Sequence, residues 1–219
     1  MRRLVRVSAW TMIWSGSIIL GYVGYQLFGT DVVNQQVQAE AQQALPALLE
    51  ERAAQLELTS STSVDDQGDP VLIEEPGVVE GEPFAAIRIP LIGVEQVIYA
   101  GIDRETLQLG PGHFPGTALP GQPGNAVLSG HRTTYGRPFF DLDLLQPGDT
   151  IDVETAVGIH TYTVRESLVV TPFDVWVAEP KDGAWLTITT CHPRFSARER
   201  LVVFAELTAG PNFEFVAAA

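Results

Sequence analysis

Cysteine occurs once in this 219-residue chain, as Cys191. It ends the alternating run Leu186-Thr-Ile-Thr-Thr-Cys191, and Arg200 opens the next apolar run, Leu201 to Leu207. Well upstream, His131 follows another apolar run in Asn125-Ala-Val-Leu-Ser-Gly-His131. Thiol acyl transfer needs a nucleophile, a proton shuttle, and a donor for the charge that develops on the attacked oxygen. A thiol, a loop histidine and a strand arginine are those three parts. One cysteine cannot close an intrachain disulfide, so this thiol is free or intermolecular. Without its context, Cys191 reads equally well as a small buried hydrophobe.

The elements that would hold these groups follow from the residue pattern. Side chains alternate along a strand. Trp185, Thr187, Thr189 and Cys191 therefore share one face, and Leu186, Ile188 and Thr190 the other. Cys191 then stands at a strand end, a rigid mount with one open side. His192 is its sequence neighbour and points to the opposite face. His131 is the better partner, reaching the thiol through the fold. It would protonate the leaving amine and deprotonate the incoming one. Arg200 carries a planar fork of donors suited to a carbonyl or oxyanion. Arg198 would share its face if the strand began early, but Arg200 is favoured. Arg194 reads as solvated, and His113 and His160 as structural. No histidine pair or Cys/His cluster has a metal-ligand spacing, so no metal is expected, and thiol acyl transfer itself requires neither a metal nor an organic cofactor.

The stretches Cys191-His-Pro-Arg-Phe-Ser-Ala-Arg-Glu-Arg200 and Gly130-His-Arg-Thr-Thr-Tyr-Gly136 resemble the sortases, cysteine transpeptidases of Gram-positive cell walls. They are most similar to class E sortases of actinobacteria. The resemblance covers roughly residues 83–207 and implies an all-β fold, an eight-stranded β-barrel with short helices. It implies that Cys191, His131 and Arg200 are catalytic and that Thr190 makes an oxyanion contact. Arg132 and Tyr135, beside His131, would shape the substrate groove. Phe114 stands where class E members often carry tyrosine; it keeps the ring and loses a hydroxyl donor. The implied reaction is cleavage between Thr and Gly of a Leu-Ala-X-Thr-Gly or Leu-Pro-X-Thr-Gly sorting signal, with transfer to an amine of a peptidoglycan precursor. Partners would be secreted proteins bearing that C-terminal signal. A pilus-polymerising sortase, with a pilin lysine as the amine, is a second reading. A barrel that binds wall peptides without turning them over is a third. The Ser-x-Gly-Cys pattern of another cysteine transpeptidase family is absent.

The rest of the chain bears on location. Arg2, Arg3 and Arg6 precede an uncharged run from Val7 to Thr30, long enough for a transmembrane helix. Trp10 and Tyr25 near its ends suit the membrane interface. The arginines place the N-terminus in the cytoplasm and the remainder outside the cell. A cleaved signal peptide is the alternative, but no clear small-residue cleavage site follows Leu27. A net charge of −14 argues against nucleic acid as a partner.

Five segments result: residues 1–30 as cytoplasmic tip and anchor, 31–58 as a helical stalk, 59–82 as an acidic disordered linker, 83–208 as the catalytic domain, and 209–219 as a tail. Ala41, Ala44, Leu45, Leu48, Leu49, Ala53 and Leu56 give the stalk its helical spacing, which Pro46 interrupts. The linker carries seven acidic residues and no basic one. Within the domain, strands are expected at 84–89, 95–99, 125–129, 150–154, 160–170, 185–191 and 200–207. A short helix is expected at 103–108, and residues 110–125 read as loop.

Overall fold

The computed structural model describes residues 2–25, 29–57 and 70–218. Eight strands close into a barrel: β1 (Pro83–Ile89), β2 (Val94–Ala100), β3 (Gly112–His113), β4 (Gly124–Ser129), β5 (Thr150–Glu154), β6 (Ile159–Val170), β7 (Ala184–His192) and β8 (Glu199–Ala209). The order around the barrel is β1-β2-β3-β4-β7-β8-β6-β5, closed by β5 on β1. Pairs β2–β3 and β4–β7 are parallel; the other pairs are antiparallel. Inward positions such as Ile87, Leu128, Ile151, Val164, Leu186 and Val203 fill the interior. The expected barrel is therefore present, and the seven expected strands match β1, β2 and β4 to β8. The strand missing from the sequence pattern is β3. Its two residues sit inside the Gly/Pro stretch read as loop and have too few side chains to alternate.

Helix α1 (Arg2–Gly24) contains Val5–Gly24, a stretch long and apolar enough to cross a membrane. None of that stretch is buried against the rest of the protein. Helix α2 (Thr30–Glu57) differs from the expected interrupted stalk in two respects. It runs through Pro46 without a break, and it lies on the barrel. Asn34, Gln38, Leu45 and Leu49 form one buried stripe at helical spacing. Leu45 and Leu49 pack on Ala86, Val97 and Tyr99 of β1 and β2. Gln38 Nε2 donates to the carbonyls of Val97 and Leu109, and its Oε1 accepts from Val97 N at 2.7 Å. Proline removes one helical hydrogen bond and crowds the preceding turn. The docking contacts on both sides of Pro46 offset that cost.

The expected linker divides. Residues 58–69 lie outside the described residues, but residues 70–82 follow the barrel surface. Glu75 is buried; it pairs with Arg52 of α2 at 3.3 Å and accepts from the amides of Ala156 and Val157. Asn212 is fully buried and holds Ile73 through both its amide N–H and its carbonyl. The tail forms a short helix α4 (Phe213–Ala218), with Phe213 and Val216 against the core. The expected short helix is α3 (Arg104–Leu109), capped by Asp103, whose carboxylate accepts from Thr106 N at 3.0 Å.

Candidate active site

The outer face of β7 and β8 carries a cavity of about 430 Å³. Its floor is Val127 and Ser129 of β4, Thr189 and Cys191 of β7, and Arg200 and Val202 of β8. The long connection from β6 to β7 forms one wall through Thr171, Pro172, Asp174, Val175, Val177 and Ala178. That wall is fixed from below. Asn125, 2% exposed, donates to the carbonyls of Val177 and Glu179 and accepts from Thr187 Oγ1 at 2.6 Å. Lys181 lies over the Phe204 ring at 3.4 Å from its centroid. Val177, Val202 and Phe204 make a small apolar cluster under the wall.

Register places the polar groups. Cys191 is paired with Arg200 in the antiparallel β7–β8 ladder, and Thr189 with Val202. Directly opposed residues present side chains on the same face, with Cβ atoms about 4.5–5.5 Å apart. The thiol and the guanidinium therefore share this floor. Arg200 Nη1 donates to the carbonyls of Ala197 and Glu199, at 3.1 and 3.0 Å, and no carboxylate pairs with it among the described residues. Arg198 precedes β8 and is exposed, outside the cavity. His131 enters the cavity just past the end of β4. Burial holds its imidazole below the ordinary histidine range, favouring the neutral ring near neutral pH. The Tyr135 ring lies against it, centroids 5.0 Å apart and tilted by 35°.

The remaining expected residues divide into two groups. Phe114 and Thr190 line the cavity. Thr190 is buried, and its hydroxyl donates to the Gly130 carbonyl at 2.8 Å, leaving its side chain committed to the β4 end. Arg132 does not line the cavity. It is 2% exposed, pairs with Asp143 at 2.9 Å, and donates to the carbonyls of Cys191 and Phe140. Its Nη1 also meets His192 Nδ1 at 2.9 Å, so His192 is engaged behind the thiol. Arg132 thus braces the backbone that carries Cys191 instead of facing a groove. Tyr135 likewise does not line the cavity and touches it through His131. Arg194, expected to be solvated, pairs with Asp141 and Asp143 at about 3 Å. His113 hydrogen-bonds Ala118 O at 2.8 Å and Thr117 Oγ1 at 3.1 Å inside the fold.

Sequence reasoning did not single out Ser129, Thr189, Asn125 or the wall residues. Ser129 and Thr189 share a hydroxyl hydrogen bond of 2.9 Å across the parallel β4–β7 pair. The one available signal for the wall was Val175-Trp-Val177, an apolar triplet within a polar, Pro-containing connection.

A barrel whose outer face sets a thiol opposite an arginine, with a half-buried histidine at the rim, matches a known family. The Sortase domain profile covers residues 87–208. The chain belongs to the sortase family. Among curated proteins it is similar to Sortase SrtE1 of Streptomyces coelicolor, 33% identical over 89% of this chain. The chain spans about half of that relative's length, 54%. Among solved structures it is similar to a Clostridium perfringens Sortase D5 transpeptidase, with a TM-score of 0.63 and 30% identity, covering 81% of this chain and 99% of that one. It is also similar to Sortase E1 from Streptomyces coelicolor with a tripeptide in the active site: TM-score 0.56, 32% identity, covering 61% of this chain and 92% of that one.

Proposed function

We propose that this chain is a membrane-anchored sortase of class E type, with Cys191 as nucleophile, His131 as proton shuttle and Arg200 as oxyanion donor. The observation that carries the reading is the pairing of Cys191 with Arg200 on the floor of a cavity that also receives His131. The family match supports it.

The reaction runs in two halves. Cys191 Sγ loses its proton to His131 and attacks the threonine carbonyl of a sorting signal. Arg200, with the backbone amide beside Thr190, stabilises the oxyanion. The Thr–Gly bond breaks, His131 protonates the departing glycine amine, and an acyl thioester remains on Cys191. An amine of a peptidoglycan precursor then loses a proton to His131, attacks the thioester and releases the thiol. The apolar wall and Phe114 suit the nonpolar residues of a Leu-Ala-X-Thr-Gly or Leu-Pro-X-Thr-Gly signal. Helix α1 is the anchor, with its N-terminus cytoplasmic and the barrel outside. The docked α2 holds the barrel near that anchor.

The test is mass spectrometry of the full chain with a Leu-Ala-X-Thr-Gly peptide and candidate amines. Wild type forms a thioester and a transfer product, and Cys191→Ala forms neither while keeping its fold. Residual acyl-enzyme in Cys191→Ala sinks the assignment.

A further inference from the structure

The His131 loop is built in an unusual conformation. Tyr135, Gly136 and Arg137 all have positive φ, at 51°, 76° and 49°. Non-glycine residues adopt this region at a cost and stay there only when their surroundings hold them. Within the loop, Phe139 N donates to His131 O at 3.2 Å and Arg137 N to Thr134 O at 3.1 Å. Phe140 N donates to Arg137 O at 3.1 Å, and the Arg137 guanidinium lies over the Phe140 ring. Further holding contacts come from the first turns of α2. Asp31 accepts from Gly136 N at 3.0 Å, and its second oxygen pairs with Arg137 Nε at 2.9 Å. Thr30 Oγ1 accepts from Tyr135 N at 3.4 Å. Asn34 packs against Gly136 so closely that a Cβ there would collide with its side-chain amide. Asn34 also donates to the carbonyls of Gln108 and Leu109, at 2.8 and 2.9 Å, which fixes the turn to the end of α3. Thr30, Asp31 and Asn34 are all buried.

The three backbone positions held in this way carry the Tyr135 ring, and that ring lies on the imidazole of His131. We propose that the first turn of α2 is a positioning element of the active site, with Asp31 its principal residue, setting His131 through the Tyr135–Arg137 turn. The proposal rests on the reading of His131 as the proton shuttle. It makes the helix that follows the anchor part of the machinery and not a spacer. Few residues separate Gly24 at the end of α1 from Thr30. The histidine is thereby tied to the membrane-proximal end of the chain. Asp31 touches no substrate; it acts on geometry. A shift of about 1 Å in a catalytic group can cost roughly 100-fold in rate.

The experiment is steady-state transpeptidation by the full chain in detergent, using a Leu-Ala-X-Thr-Gly peptide, with thermal melts alongside. Asp31→Ala removes both holding contacts. Asp31→Asn keeps an acceptor for Gly136 N. Gln38→Ala loosens the same helix two turns away, without contact to the loop. Asp31→Ala is expected to lower kcat about 10-fold or more with KM within about twofold. Asp31→Asn should restore most of that loss, and Gln38→Ala should lower the melting temperature with little change in kcat. Wild-type kcat in Asp31→Ala, or equal kcat losses in Asp31→Ala and Gln38→Ala, overturns the positioning role and leaves the sortase reading standing. A wild-type chain that forms no acyl-enzyme overturns both.

Discussion

Cys191 and Arg200 are partners in the β7–β8 register, and the β6–β8 register puts Val170 on the other side of Arg200. The Arg200 backbone is thus held in a three-strand segment of the barrel, and its side chain lines the cavity while Nη1 donates to the carbonyls of Ala197 and Glu199. A side chain mounted on a ladder moves less than one on a loop, and preorganised donors are those that stabilise a transition state best.

Arg200→Lys keeps the charge and loses the planar fork. If the fork meets the oxyanion, kcat should fall by about 10²–10³-fold, the usual cost of one lost oxyanion donor. Arg198→Lys, outside the cavity and before β8, should be mild. Steady-state kinetics with circular dichroism as a folding control distinguishes them. A crippled Arg198→Lys beside an active Arg200→Lys would move the catalytic arginine by two residues. A rise in KM alone for Arg200→Lys would mean ground-state binding instead.

The two histidines nearest the thiol divide by face. His131 lines the cavity; His192 turns back to Arg132. His131→Ala should cost about 10²–10⁴-fold in kcat/KM, the range for a general acid–base group. His192→Ala should leave the rate within a small factor and show its effect in stability. Equal losses in two folded variants would refute the division.

Most of the barrel was legible because its strands alternate. Leu186 and Ile188 enter the core while Thr189 and Cys191 face the cavity, as period two requires. Residue type and motif singled out His131, Cys191 and Arg200, and the fold brings all three to one cavity. Three features were not legible. Strand β3 is two residues long and carries no pattern. The docking of α2 was hidden because its upstream contact residues, Asp31, Asn34 and Gln38, are polar and look solvated in sequence; only hydrogen bonds to backbone at long separation reveal their burial. Arg132 misled for the same reason. An arginine next to His131 reads as a groove residue, yet its guanidinium is spent on Asp143 and on the carbonyl of Cys191. In the last two cases the sequence shows a polar side chain, and only the fold says which backbone groups await it.

His160 gives a prediction about pH. It is fully buried, with Nε2 3.3 Å from Thr155 Oγ1 and no partner for Nδ1 among the described residues. The ring of His160 fills the space where Gly121 would otherwise carry a Cβ. Burial lowers its pKa from 6.5 to about 4, because the charged ring has no water around it. In the unfolded chain the group titrates normally. Between those two values the unfolded chain holds a proton that the folded chain does not. The stabilising contribution is therefore complete above pH 6.5 and is lost as pH falls toward 4. Its size is on the order of 3 kcal/mol over that window. Urea unfolding of the full chain in detergent at pH 7 and pH 5 should show a drop in midpoint for wild type. His160→Gln carries no titrating ring and should show a smaller drop, since the carboxylates contribute alike to both. Parallel pH dependence in the two proteins would mean that His160 is solvated or already protonated in the fold.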